Sequence, residues 1–219
     1  MKRSWIKRAG YHAMRALFRL VGIVWFRYRC FGREKIPSQG GVLICSNHQS
    51  HLDPMVVGMQ SQRRMNFLAR KTLFTFFLLR WIIQFLDAIS IDRDGIGLAG
   101  LKQTLSCLRR GEIVLLFPEG TRTQDGGLLE FKPGICSLVR RGKVPIVPVG
   151  IDGPYQAWPR SHRLPQSDVI RVVVGDPIQP EDVVQWDDEQ LLDKLQQSVQ
   201  QCLEQARQSR QISRQMPAE

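Results

Sequence analysis

The stretch Val42-Leu43-Ile44-Cys45-Ser46-Asn47-His48-Gln49-Ser50-His51-Leu52-Asp53-Pro54 decides the fold class. Val42 to Cys45 is a short apolar run with the length of a buried strand. A polar loop follows it. Asp53-Pro54 then has the form of a helix N-cap with proline in the first turn. Strand, loop and helix in that order make one β-α unit, and the same alternation continues along the chain.

Further strands are expected at Asn66 to Ala69, Ala88 to Ile91, Ile113 to Phe117, Ile146 to Val149 and Val169 to Val174. Helices are expected at about 54–60, 73–86, 96–110 and 134–141. From Asp188 to Ala206, the residues Leu191, Leu195, Val199, Cys202 and Ala206 keep helical spacing and predict a last amphipathic helix packed on the sheet. The fold class is therefore α/β, a mostly parallel sheet flanked by helices. Two prolines in Val144 to Val149 limit sheet hydrogen bonding there and predict an edge strand or a bulge. The polar run from Gln208 is expected to fray.

On this layout His48 follows the first expected strand, Arg93 the third and Glu119 the fourth. In an open parallel sheet, ligands bind beyond the carboxyl ends of strands, so these distant residues converge on one edge. His48 and Asp53 are five residues apart, which on one helix would set them roughly 140° from each other; their pairing requires His48 to lie in the loop. A histidine held by a carboxylate has a fixed tautomer and can take a proton from a hydroxyl. A structural loop with Asp53 as a cap fits the same residues. His51 is a competing base.

Phe117-Pro118-Glu119-Gly120-Thr121-Arg122-Thr123 leaves a strongly apolar strand. Arg122 supplies a planar fork for phosphate oxygens, and Gly120 allows a close backbone approach. A salt-bridged turn at a strand end fits equally. Arg93 is a third phosphate contact or a partner for Asp92 or Asp94, and Lys132 can bring one more cation. Cys45, inside an apolar run, reads as a small core residue rather than a nucleophile.

The chain has 219 residues and a net charge of +11, enough length for one domain with a sizeable core. Ten of its basic residues fall within residues 1–35 against Glu34 alone, so that segment holds +9 of the total. The five cysteines are scattered without a C-x-x-C pair, which argues against a disulfide framework or a zinc site and for a reducing compartment. Ala13 to Phe26 is apolar for 14 residues, is interrupted by Arg15 and Arg19, and is short of the roughly 20 residues a spanning helix needs. It lacks the pattern of a cleaved secretory signal.

Arg8, His12, Arg15 and Arg19 form one narrow helical stripe on an otherwise apolar body, the pattern of a helix lying among lipid headgroups. An amphipathic helix packed on its own domain fits the same pattern. Because the positive charge sits in an apolar segment without a recognition module, a membrane surface is expected and nucleic acid is not. Leu73 to Leu86, broken by Arg80, either widens the membrane patch or belongs to the core. The organisation expected is an anchoring segment at 1–35, an α/β domain at 36–207 and a flexible polar tail at 208–219.

From Arg33 to Asp152 these motifs, in this order, resemble the 1-acylglycerol-3-phosphate acyltransferase family. Asn47, His48 and Asp53 match its first motif, Arg93 the arginine of its second, Phe117 to Arg122 its third, and Pro148 the proline of its fourth. The resemblance implies transfer of a fatty acyl group from acyl-CoA or acyl carrier protein to the free hydroxyl of 1-acyl-sn-glycerol 3-phosphate, giving phosphatidic acid. His48 would be the general base and Asp53 its orienting partner, with no covalent acyl-enzyme. Arg93, Glu119, Gly120, Thr121 and Arg122 would bind the acceptor. It implies no metal and no cofactor beyond the thioester co-substrate, and a peripheral or monotopic protein on the cytoplasmic face. Thr72, Arg80 and Asp87 stand where many members carry Glu and small glycines, so acyl and acceptor preferences do not transfer. Another lysolipid or glycerol 3-phosphate as acceptor, or a non-catalytic lipid-binding role, are the alternatives.

Overall fold

The computed structural model describes residues 16, 19–61, 63–70, 89–91, 97–159, 161, 162 and 164–215. Seven strands form one sheet in the order β1-β7-β6-β2-β5-β3-β4. Strand β2 (Val42–Ser46) lies at its centre, parallel to both β5 (Ile113–Leu116) and β6 (Ile146–Asp152). Beyond β5, β3 (Met65–Arg70) and β4 (Ile89–Ile91) continue the parallel run. On the other side β7 (Arg171–Val174) is antiparallel to β6, and β1 (Arg29–Phe31) pairs parallel with β7.

The central strands are apolar at successive positions because both of their faces are covered. Val42, Ile44, Ile113, Leu115, Val147 and Val149 face one layer, where helix α2 (Asp53–Gly58) contributes Val56 and Val57. Leu43, Cys45, Val114, Leu116 and Ile146 face the other layer. There α3 (Gly97–Arg109) brings Leu105 and Leu108, α4 (Gly134–Gly142) brings Ile135 and Leu138, and α7 (Asp188–Gln215) brings Leu191, Leu195 and Val199. Each fully buried aliphatic side chain contributes about 1.5–3 kcal/mol relative to exposure. Helix α1, residues 19–26, lies on the α2 side, where Gly22 sits against the Met59 side chain. Short helices α5 (Pro154–Ala157) and α6 (Pro180–Val184) join the later strands.

Strands expected from the sequence are present, and the structure adds β1 from within the basic N-terminal segment. Of the two alternatives expected for the proline run, the edge strand is corrected, while a bulge is present: Val149 pairs with Val174 and Ile146 with Ile178, so the chain facing the run carries one residue more than the run itself. Strand β6 lies inside the sheet, between β2 and β7, rather than at an edge. Ile146 exchanges backbone hydrogen bonds with Ile178, so Pro148, two residues on, turns its nitrogen toward the same side. Its carbonyl accepts from Gly175 N at 2.9 Å, just past the end of β7. The missing N–H therefore falls where the ladder stops.

The C-terminal helix also outruns its expectation. It continues to Gln215, through 208–215 where polar composition had predicted fraying. Arg210 is buried and bridges Asp152 and Asp168, and Arg214 binds Asp168 at 2.7 Å. Ion pairs to the sheet hold the last turns in place of an apolar stripe. The expected helix at 73–86 lies outside the described residues. Among the described residues no helix is long and apolar enough to cross a membrane.

Candidate active site

Strands β2, β5 and β6 are neighbours, so the loops after their carboxyl ends meet. Residues 47–50 leave β2 without regular structure, and α2 begins only at Asp53. His48 is thus in the loop, as its pairing with Asp53 requires. The histidine Nδ1 lies 2.7 Å from Asp53 Oδ2. That same oxygen accepts the backbone N–H of Gln49 at 2.6 Å and of Ser50 at 2.7 Å.

Asp53 is fully buried, and its carboxylate turns back to the preceding loop rather than capping the helix. Two backbone donors and an imidazole on one oxygen hold the carboxylate charge in place and fix the ring. The ring is further held by stacking on Phe117, with centroids 4.0 Å apart and planes 13° from parallel. Because Nδ1 is engaged, Nε2 is the ring nitrogen left for chemistry, and a fifth of the side chain is open to solvent.

Glu119 takes a position that sequence reasoning did not foresee. It is buried, and its two oxygens accept backbone N–H groups: Oε1 from His48 at 2.7 Å and Oε2 from Leu129 at 3.1 Å. Burial pushes its carboxyl up to about 8, against the pull of those two amides, and the nearby Asp53 charge adds to the rise. Thr123 N donates to His48 O at 2.9 Å, so the loop after β5 clasps the histidine backbone on both sides.

Gly120 has φ +66, a left-handed conformation in which a side chain is strained. A β-carbon there would also stand 2.9 Å from Lys132 Cε, so the lysine lies across this glycine. That places the Lys132 cation beside the Gly120-Thr121-Arg122 turn, as expected. Thr121 and Arg122 are partly exposed in the same turn. Arg93 lies outside the described residues; β4, which precedes it, is the edge strand at the far side of β5 and β3.

Other supports are legible only in three dimensions. Asn47 exchanges two hydrogen bonds with the Ile151 backbone, 2.9 and 2.8 Å, tying the end of β2 to β6. Gln49 donates to Gly126 O, and Tyr155 OH donates to Gln124 O at 2.6 Å, so α5 and the histidine loop both grip the segment after Arg122. Partners a hundred residues apart leave no local trace, although a buried polar run directly after an apolar strand is a signal of paired side chains. His51 tilts against Trp158, with ring centroids 5.6 Å apart. Cys45 is fully buried, and burial pushes its thiol up to about 12, which removes thiolate character.

The chain is similar in sequence and in fold to known proteins. The sequence profile of the Acyltransferase family matches residues 27–152, more than half of the 219-residue chain. The 1-acyl-sn-glycerol-3-phosphate acyltransferase of Bacillus subtilis is 28% identical over 158 residues, covering 70% of this chain and 75% of that protein. The enzyme of the same name from Pseudomonas aeruginosa is 32% identical over 157 residues, 70% of this chain and 60% of its own. The chain thus spans three fifths of the Pseudomonas relative. The crystal structure of the 1-acyl-sn-glycerophosphate acyltransferase of Thermotoga maritima has a TM-score of 0.77 and 20% identity, covering 100% of this chain and 86% of that one. At that identity the likeness is one of fold. With the profile spanning β1 to the end of β6, and so the whole His48–Asp53–Glu119 constellation, the chain belongs to the acyltransferase family.

Proposed function

We propose that this protein transfers a fatty acyl group from acyl-CoA or acyl carrier protein to the free hydroxyl of 1-acyl-sn-glycerol 3-phosphate, giving phosphatidic acid. The observation that carries this reading is the 2.7 Å contact of His48 Nδ1 with the buried Asp53 carboxylate at the end of β2. His48 Nε2 takes the proton of the acceptor hydroxyl as its oxygen attacks the thioester carbonyl. Asp53 stabilises the imidazolium that forms. The tetrahedral intermediate then collapses, the C–S bond breaks, and the imidazolium returns the proton to the leaving thiolate. The acyl group passes directly, with no covalent acyl-enzyme and no metal or cofactor.

In this proposal Arg93, Gly120, Thr121 and Arg122 hold the phosphate and glycerol end of the acceptor. Arg122 is the fork for phosphate oxygens. Glu119 acts by fixing the His48 backbone. Residues 1–35 attach the protein to the anionic membrane surface from the cytoplasmic side and also end as the edge strand β1; residues from 36 onward form the catalytic domain. Exposure of Leu20, Val24 and Trp25 at 59, 70 and 53% supports the attachment.

The test is a panel of lyso-acceptors and glycerol 3-phosphate with both thioester donors, products identified by mass. The expected result is acylation of 1-acyl-sn-glycerol 3-phosphate above the other acceptors, with His48→Ala slower by roughly 10²- to 10⁴-fold while still folded and still bound to vesicles. Unchanged turnover in His48→Ala would overturn the mechanism. Acceptor binding without turnover for any pair of substrates would point to a non-catalytic lipid-binding protein.

A further inference from the structure

A second concave site lies away from His48, at the root of helix α1. It is lined by Arg19 and Ile23 of α1, Tyr28, Arg29 and Cys30 around β1, Arg33, and Met59 and Gln60 past the end of α2. The cavity holds about 120 Å³, several times the ~10–15 Å³ that one water needs, and opens partly to solvent. Among the described residues no carboxylate forms an ion pair with Arg19, Arg29 or Arg33.

The Tyr28 hydroxyl is shut off from water and makes no hydrogen bond of ordinary geometry among the described residues. The Cys30 thiol beside it is a weak partner. Burial pushes the tyrosine up and the thiol up to about 11, while the charges of Arg19 and Arg33 pull both back. Those two guanidinium groups therefore act on the same small space. A buried hydroxyl whose one neighbour is a weak thiol acceptor, next to two cations that form no ion pair among the described residues, is a donor set suited to an anion.

The helix orients this set. At 100° per residue, Gly22 and Phe26 form the packed side of α1 and are buried. Leu20, Val21, Val24 and Trp25 span the opposite arc and are exposed. Arg19 and Ile23 fall on the border between the two. With the exposed arc in the acyl region, the border lies at the depth of lipid phosphates.

We infer that this pocket binds the phosphate of an anionic membrane phospholipid, through the guanidinium groups of Arg19 and Arg33 and the Tyr28 hydroxyl. The inference rests on the membrane attachment proposed above and gives it a specific headgroup contact, separate from the acceptor site beyond β2 and β5.

The test is flotation of the full chain with neutral phosphatidylcholine vesicles and with vesicles also containing phosphatidic acid or phosphatidylglycerol. Tyr28→Phe removes no charge. It is expected to weaken partitioning onto both anionic vesicles about tenfold, through loss of one hydrogen bond to a charged group, and to leave neutral vesicles unaffected. The double variant Arg19→Gln/Arg33→Gln should lose more than a charge-matched control in which exposed Arg27 and Lys143 are replaced by Gln. Inorganic phosphate should compete if the phosphate itself is the recognised group. Tyr28→Phe partitioning like the unaltered protein, with the double variant no weaker than its control, would overturn the inference. Failure of the attachment reading has a different signature: Val24→Glu/Trp25→Glu would then leave binding to every vesicle unchanged.

Discussion

Two buried carboxylates stand within the same clasp and have different work. Asp53 accepts from an imidazole and two amides on one oxygen, whereas Glu119 receives one backbone N–H on each of its oxygens. Because burial raises the Glu119 carboxyl to about 8, the folded protein holds a proton there that the unfolded chain releases near the ordinary glutamate range. Between those values the native state binds more protons, so stability contributed by this group is present below about pH 4.5 and declines as pH rises through 8. Urea unfolding across that window should show the decline, on the order of a few kcal/mol. Glu119→Gln should flatten it and should also lower turnover, since its amide NH2 confronts either His48 N–H or Leu129 N–H. A pH slope unaltered in that variant would mean that another group titrates.

At the scale of elements, the C-terminal helix is fastened to the sheet in two ways. Beside Gly150 in β6 its backbone comes so close that a β-carbon would overlap Cys202 and Leu203. Gly150→Ala is therefore expected to cost more than the ~1–3 kcal/mol of ordinary overpacking, read by thermal unfolding. Near its end, Arg210 reaches Asp152 at 3.2 Å, Asp168 at 3.1 Å and Val169 O at 2.9 Å. Arg210→Met takes the bridging cation from buried Asp152 and half-buried Asp168, of which Asp168 keeps Arg214 at 2.7 Å, and should lower stability by about 3 kcal/mol.

These elements also mark what the sequence revealed. Leu191 to Ala206 announced themselves by apolar spacing, whereas the helix beyond is held by pairs between residues about 40 to 60 apart. β1 has only three residues, alternates exposed, half-buried and exposed, and sits in a charged segment, so no periodicity distinguishes it. His48 and Asp53 were legible because six consecutive residues contain both partners. The roles of Glu119, Phe117 and Asn47 depend on strands that only the sheet order makes neighbours.

For the whole molecule, charge is gathered at one end of the chain, and six of the ten exposed large hydrophobic residues among the described residues lie there as a cluster, the other four being scattered singly. Residues 1–35 carry +9 of the +11, and helix 19–26 within them bares Leu20, Val24 and Trp25, while the rest of the chain is nearly neutral. A field so lopsided favours approach to an anionic bilayer with that segment leading. In the attachment proposed above, the two contributions respond oppositely to salt. Raising ionic strength from about 0.1 M to about 1 M shortens the screening length from ~10 to ~3 Å, which suppresses attraction between the arginines and the bilayer. Apolar burial is not weakened by excluded salts such as sulfate. In sulfate, the preference for anionic over neutral vesicles is therefore expected to shrink by at least tenfold while partitioning onto neutral vesicles persists, and Val24→Glu/Trp25→Glu should remove that residue of binding. Release from both vesicle types at high salt would make the attachment electrostatic alone, with the exposed arc of α1 left to meet something other than lipid.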